Sequence, residues 1–176
     1  GAAKNIGREI ALMLAGDGAS VVINGKTDKA AAEVVAGEVE AMGAKAIVHM
    51  ADVADPDQAT GLIDAAVTHF GRLDILVVNA GMRRQNSIVD IPLEEWREVM
   101  TMDLESPFVL AKAAIPQMLK NGHGRVVTLG GTSAHTGNIG RAHVGAAKMG
   151  LLSLTRSIAV EFGPQGITAN MVAPGH

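Results

Sequence analysis

The chain has 176 residues, 48% of them hydrophobic, a formal net charge of −3 and no cysteine. That is one domain in size with enough apolar content for a core; no disulfide framework or thiolate metal site can form, and no metal site is read. The scattered basic residues argue against nucleic acid as a partner, and no apolar run approaches the ~18 residues that span a bilayer, so a cytoplasmic protein with no membrane contact is expected.

Short β-branched runs alternate with segments of helical period, the pattern of βαβ units around a parallel sheet. A glycine-rich turn, Gly1-Ala-Ala-Lys-Asn-Ile-Gly7, opens directly on a helix with Ile6, Ile10 and Leu14 on one face. Ser20–Asn24 reads as a strand. Val35, Val39 and Met42 mark the next helix, and Lys45–His49 the next strand. Leu62, Ala66 and Phe70 mark a third helix, and Ile75–Val78 a third strand. Asp90, ahead of Pro92-Leu-Glu-Glu, signals a helix start with acidic residues near its positive end. Helices follow near 93–102 and 106–120, then a strand at Arg125–Leu129, a helix near 143–162 and a strand at Ile167–Val172. Gly16, Gly18, Gly43 and Gly71 follow helix ends, where left-handed caps favour glycine. No repeat or linker interrupts the pattern, so a single domain over 1–176 is expected. The opening turn lacks the apolar strand that should feed it, and the chain stops just after Pro174-Gly175. The expectation is therefore a stretch of a longer protein, without its first strand and C-terminal elements.

The opening turn, Asn79-Ala80-Gly81, Val144-Gly-Ala-Ala-Lys148 and Pro174-Gly175 occur in an order that resembles the short-chain dehydrogenase/reductase family, in particular its 3-oxoacyl-carrier-protein reductase branch. The resemblance runs along nearly the whole chain. It implies a Rossmann-type doubly wound parallel sheet in three α/β/α layers, with a nicotinamide dinucleotide at the carboxyl ends of the strands. A glycine turn lets the backbone approach a pyrophosphate, and the helix behind it offers unpaired N–H groups. Gly1 and Gly7 fit the family's Gly-x-x-x-Gly-x-Gly pattern, and Ile6 between its last two positions would line the cofactor with them. Asn5 replaces the middle glycine, and Asn tolerates a left-handed backbone better than most residues. The residue ending the Ser20–Asn24 strand governs the dinucleotide. An acid there would bind ribose hydroxyls, but this chain has Gly25 followed by Lys26 and Thr27, which favours the 2′-phosphate of NADP, with NAD the alternative. By resemblance, Asp52-Val53 would contact adenine, Asn79, Ala80 and Gly81 would fix strand ends beside the cofactor, and Thr168, Pro174 and Gly175 would lie near the nicotinamide amide.

The family's catalytic helix reads Tyr-x-x-x-Lys, and here Val144 stands at the tyrosine position while Lys148 is retained. The chain has no Tyr at all. Residue by residue, the resemblance offers Asp103 for the family's Asn, Gly131 for its Ser, and Val144 for its Tyr. Valine and glycine have no proton to transfer. His143 precedes Val144 and has the acid/base range for the task, although neighbours on a helix point about 100° apart; a solvated or capping helix-start residue is the other reading. Thr132 and Ser133 follow Gly131 and offer hydroxyls, with His135 in the same loop and Thr128 earlier on the strand. Lys148 also has a family role on the nicotinamide ribose that survives loss of the tyrosine. Asp103 is read as a proton acceptor, a helix cap or an ion-pair partner of Lys148. Arg83 and Arg84 would border a substrate cleft as anion contacts or solvated loop residues. The expected function is carbonyl–alcohol interconversion by hydride transfer on a small-molecule substrate, or dinucleotide binding without turnover. The segments at 93–120 and 143–162 resemble the family's subunit-pairing helices. A homodimer or homotetramer follows, with Trp96 near that surface.

Overall fold

The computed structural model describes residues 1–175, apart from the side chain of Ser133. These residues form two compact units, Gly1–Gly71 and a second beginning at Arg72. The parallel α/β arrangement expected from the sequence is present in both.

In the first unit the elements are α1 (Asn5–Gly16), β1 (Val21–Gly25), α2 (Lys29–Ala41), β2 (Ala46–Met50) and α3 (Pro56–Phe70). β1 and β2 pair in parallel, from Val21 opposite Ala46 to Gly25 opposite Met50. Ala11 and Ala15 of α1, Ile23 of β1, and Ala32, Val35, Ala36 and Val39 of α2 form one core. The small residues carry the packing. Ile6 and Met42, expected on core faces, are exposed. Burying a side chain the size of Ile23 contributes about 1.5–3 kcal/mol. α3 starts where Asp55 Oδ1 accepts from the Asp57 and Gln58 amides, at 2.9 and 3.1 Å. It ends at Gly71 with φ 76°, a conformation that glycine adopts without a Cβ clash. Gly18 and Gly43 are left-handed too, whereas Gly16 is the last helical residue of α1 and is not.

The second unit runs β3 (Ile75–Val78), α4 (Leu93–Met100), a π-helical turn (Thr101–Glu105), α5 (Ser106–Lys120), β4 (Gly124–Leu129), α6 (Ser133–Thr136), α7 (Ala142–Phe162) and β5 (Ile167–Val172). β4 lies between β3 and β5, all parallel. Among the described residues β1 and β3 each pair with one strand only. Two features were not legible in the sequence. The helices expected at 93–102 and 106–120 are one rod interrupted by the π turn, and the short α6 follows β4. The helix start expected at Asp90 falls later, with Pro92 in the capping position and Glu94 and Glu95 in the first turn. α7 is tied to the sheet by a buried hydrogen bond of 2.9 Å between the hydroxyls of Thr128 and Thr155, so Thr128 serves packing. Among the described residues no helix is long and apolar enough to cross a membrane.

Candidate cofactor and catalytic site

In the first unit, the residues expected to hold a nucleotide gather where β1 and β2 end. Asn5 sits at φ 50°, the one left-handed non-glycine among the described residues, so it does occupy the conformation that glycine would otherwise supply. Gly7 is buried and Ile6 exposed. Lys4 precedes α1 in an extended conformation, and no side chain caps the helix. Its first N–H groups and the positive end of its dipole are thus left to an anion, which is the condition a dinucleotide pyrophosphate needs. Gly25 ends β1 buried, with Lys26 and Thr27 exposed after it.

Two ion pairs define the electrostatics here. Lys26 Nζ lies 2.7 Å from Asp52 Oδ2, and Lys4 Nζ lies 2.7 Å from Asp28 Oδ2. The hydrogen bonds from these lysines hold the Asp52 and Asp28 carboxyls below the usual carboxylate range. Asp52 also accepts from the Ala54 amide at 3.1 Å, which shapes the turn that buries Val53. Lys26 and Asp52, expected to contact opposite ends of the adenosine, are therefore partners of each other. Lys4 is a residue the sequence reading missed. Its signal was a cation inside the glycine turn, with an acid beyond β1 to receive it.

In the second unit the sequence prediction of a Lys148 ion pair is realised. Asp103 lies on the π turn and is 0% exposed. Its Oδ1 accepts from the Met82 amide at 2.7 Å, and its Oδ2 lies 3.4 Å from Lys148 Nζ. Burial raises the Asp103 carboxyl above its ordinary value, and Lys148 and the Met82 amide pull it partly back. A Cβ at Gly81 would stand 3.1 Å from Asp103 Oδ1 and 3.2 Å from Lys148 Nζ, so this pair is packed directly on the Asn79-Ala80-Gly81 exit of β3. The lysine side chain keeps 12% exposure. Its ammonium thus lies between the buried acid and the surface.

The residues one turn before Lys148 are buried. Val144 is 7% exposed and packs with Val99 and Ala147 between α4 and α7. His143 is fully buried, with Nε2 3.1 Å from Glu95 Oε1 and Nδ1 without a hydrogen-bond partner. The reading of His143 as a solvated helix-start residue is thus corrected. The first turn of α7 faces α4, and the ring closes against it. Glu95 was missed, although Glu95, Val99 and Asp103 recur at helical spacing along the rod that meets α7. Thr132 and His135 stand exposed around α6. The Ser133 hydroxyl lies outside the described residues. Asn79 and Ala80 follow β3 half-buried, and Pro174 and Gly175 follow β5 exposed. Thr168 is corrected in position. It pairs with Arg125 near the amino end of β5, opposite the end where it was expected. Arg84 reaches Glu98 at 3.4 Å, while Arg83 is exposed in a loop joined to the 137–141 loop by the bond from the Asn86 amide to Gly140 O, 2.8 Å. No group of three or more potential metal ligands occurs among the described residues.

A family model described as enoyl-(acyl carrier protein) reductase matches residues 1–176. The 3-oxoacyl-[acyl-carrier-protein] reductase FabG of Staphylococcus aureus (strain Mu50 / ATCC 700699) is 40% identical over 175 residues, covering 99% of this chain and 71% of the relative. The chain belongs to the short-chain dehydrogenase/reductase family. Among solved structures, a putative short-chain alcohol dehydrogenase from Sinorhizobium meliloti 1021 matches with a TM-score of 0.96 at 32% identity, over 100% of this chain and 69% of that one. A NAD+-bound xylitol dehydrogenase matches with a TM-score of 0.93 at 28% identity, over 99% of this chain and 67% of that one. The fold is therefore of the Rossmann type, and the chain falls in a family of nicotinamide-dependent oxidoreductases.

Proposed function

We propose that this chain is an NADP-dependent oxidoreductase that interconverts a small-molecule carbonyl and its alcohol, with Lys148 at the proton-transfer position. The observation that carries the reading is the Asp103–Lys148 pair at the exit of β3. By the family resemblance this lysine would stand beside the reacting centre, and Val144, one helical turn earlier on α7, has no side-chain proton to give.

A dinucleotide held at this site would supply hydride to the carbonyl carbon. Lys148 Nζ would donate the proton that the carbonyl oxygen then needs, and the Asp103 carboxyl, 3.4 Å away, would hold the lysine in place. An ammonium has three N–H donors, so the contact to Asp103 leaves others for a ribose hydroxyl or a substrate oxygen. Thr132 and Ser133 are the hydroxyls available to orient the substrate. His143, closed against Glu95, braces α7 on α4 so that Lys148 keeps its place.

Two facts support NADP over NAD. Gly25 puts no acid at the end of β1, and Lys4 and Lys26 bring two ammonium groups to that end. Both are paired, but the pairs are half-exposed and weak, so each lysine retains donors for a 2′-phosphate. Gly1, Asn5, Ile6 and Gly7 would hold the pyrophosphate, and Asp52 and Val53 the adenine. Asn79, Ala80, Gly81, Pro174 and Gly175 would lie near the nicotinamide end. The exposed Phe108, with Met100, Leu104 and Leu154 around an open apolar groove, supports pairing of subunits through α5 and α7 as a homodimer or homotetramer. A second reading, a dinucleotide-binding protein without turnover, is favoured by the burial of both Val144 and His143.

Titration with NADPH and NADH, followed by a carbonyl panel with NADPH, separates the two. Binding with turnover supports the enzyme, binding with none across the panel supports the second reading, and binding of neither dinucleotide refutes both.

A further inference from the structure

Asn24 is a buried amide in a strand otherwise made of Val21, Val22, Ile23 and Gly25. A buried polar group of this kind is unfavourable unless its donors and acceptors are met. Here they are met by one set of partners. Asn24 Oδ1 accepts from Gly1 N at 2.9 Å, and the Asn24 main-chain carbonyl accepts from the Ala2 amide at 2.8 Å. On the other side, Asn24 Nδ2 donates to His49 O and Ala51 O, each at 3.2 Å, and lies 3.4 Å from Gly25 O. His49 is the residue that Asn24 faces in the β1–β2 ladder, and Ala51 is the first residue past β2. One side chain thus joins the start of the glycine turn to the exits of both strands.

We propose that Asn24 is a positioning residue for the dinucleotide: it sets where the glycine turn presents the first N–H groups of α1. This rests on the dinucleotide reading above. Only Ala3 and Lys4 separate the anchored Ala2 from the left-handed Asn5, the first residue of α1. So short a tether passes any shift at Gly1 and Ala2 on to the N–H groups that face the anion. No other side chain of similar size replaces Asn24. It needs one acceptor and at least two donors on a short planar group. Aspartate keeps the acceptor and loses both donors, placing an oxygen against two carbonyls. Serine is too short to reach both sides.

The pyrophosphate is common to NADPH, NADH and ADP-ribose, and that dictates the test. Asn24→Ser and Asn24→Asp are titrated with all three ligands by calorimetry, alongside thermal melts of each variant. Folded variants are expected to bind all three about tenfold or more weakly, the loss of one or two hydrogen bonds to a buried group. The ratio of NADPH to NADH affinity should stay at its wild-type value. A purely structural role would lower the melting temperature and leave the affinities of the folded protein unchanged, and that result overturns the proposal. So does a variant that weakens NADPH alone, since this reports the 2′-phosphate and not the turn. Should neither variant fold, the 15N spectrum of the wild-type protein decides. Saturation with ADP-ribose is expected to shift the Asn24 carboxamide resonances, and unmoved resonances overturn the assignment. A wild-type protein that binds none of the three overturns the dinucleotide reading and this assignment with it.

Discussion

Replacing Lys148 by methionine isolates the energetics of the site. The substitution keeps most of the side-chain volume and removes the charge that faces Asp103. At 3.4 Å and an effective dielectric of about 20, the attraction lost is roughly 5 kcal/mol. The measured loss must be smaller, because Asp103 escapes by taking up a proton. From an ordinary value of 3.8, protonation at pH 7 costs about 1.36 × 3.2, or roughly 4 kcal/mol, which sets the ceiling. At pH 5 the same arithmetic gives about 1.36 × 1.2, a ceiling of roughly 2 kcal/mol. The sign follows from linkage. The Asp103 carboxyl is already raised in the folded state, so ionisation destabilises the fold above that raised value and costs nothing below the ordinary one. Removing Lys148 raises it further and widens the window upward. Lys148→Met is therefore expected to lose up to about 4 kcal/mol at pH 7, less whatever the raised carboxyl already costs, and less than about 2 kcal/mol at pH 5. The added substitution Asp103→Asn should recover most of the pH 7 loss. Urea unfolding followed at Trp96, the single tryptophan, reads the unit concerned. A loss equal at both pH values, or a double variant whose loss is the sum of the single ones, would falsify the claim that Asp103 is a buried charge held by Lys148.

Other expectations are more local. His143→Ala should lower stability by about 2–4 kcal/mol through the cavity and the stranded Glu95; thermal melts and turnover together check it, and a stable variant with no activity would return His143 to an acid role. Lys26→Ala should weaken NADPH severalfold and NADH hardly at all in parallel titrations; equal weakening would remove Lys26 from the 2′-phosphate account. Asp55→Ala should cost about 1 kcal/mol, measured by urea unfolding at neutral pH, because two amides at the start of α3 lose their acceptor. Gly166→Ala should impair folding, seen as loss of soluble protein. A Cβ there would sit 2.2 Å from Gly122 O, and the backbone is left-handed at φ 88°.

Periodicity placed all five strands of the described residues to within one position at either end, since a β-branched run between glycine-rich turns has few other ways to bury itself. The same local rule made Asn5 legible, because a left-handed position tolerates few side chains.

Direction and partnership needed the tertiary structure. The family resemblance raised His143 as an acid/base candidate, but only the packing of α7 on α4 turns its ring to Glu95 and out of solvent. Lys26 and Asp52 lie far apart in the chain, and the parallel pairing of β1 and β2 brings them together as an ion pair. The π turn that seats Asp103 under Gly81 leaves no mark on a pattern of apolar spacing. The physical reason is common to these cases. Local propensity and the period of apolar residues act over a few neighbouring positions, whereas a buried charge finds its partner only when distant elements close around it and exclude water.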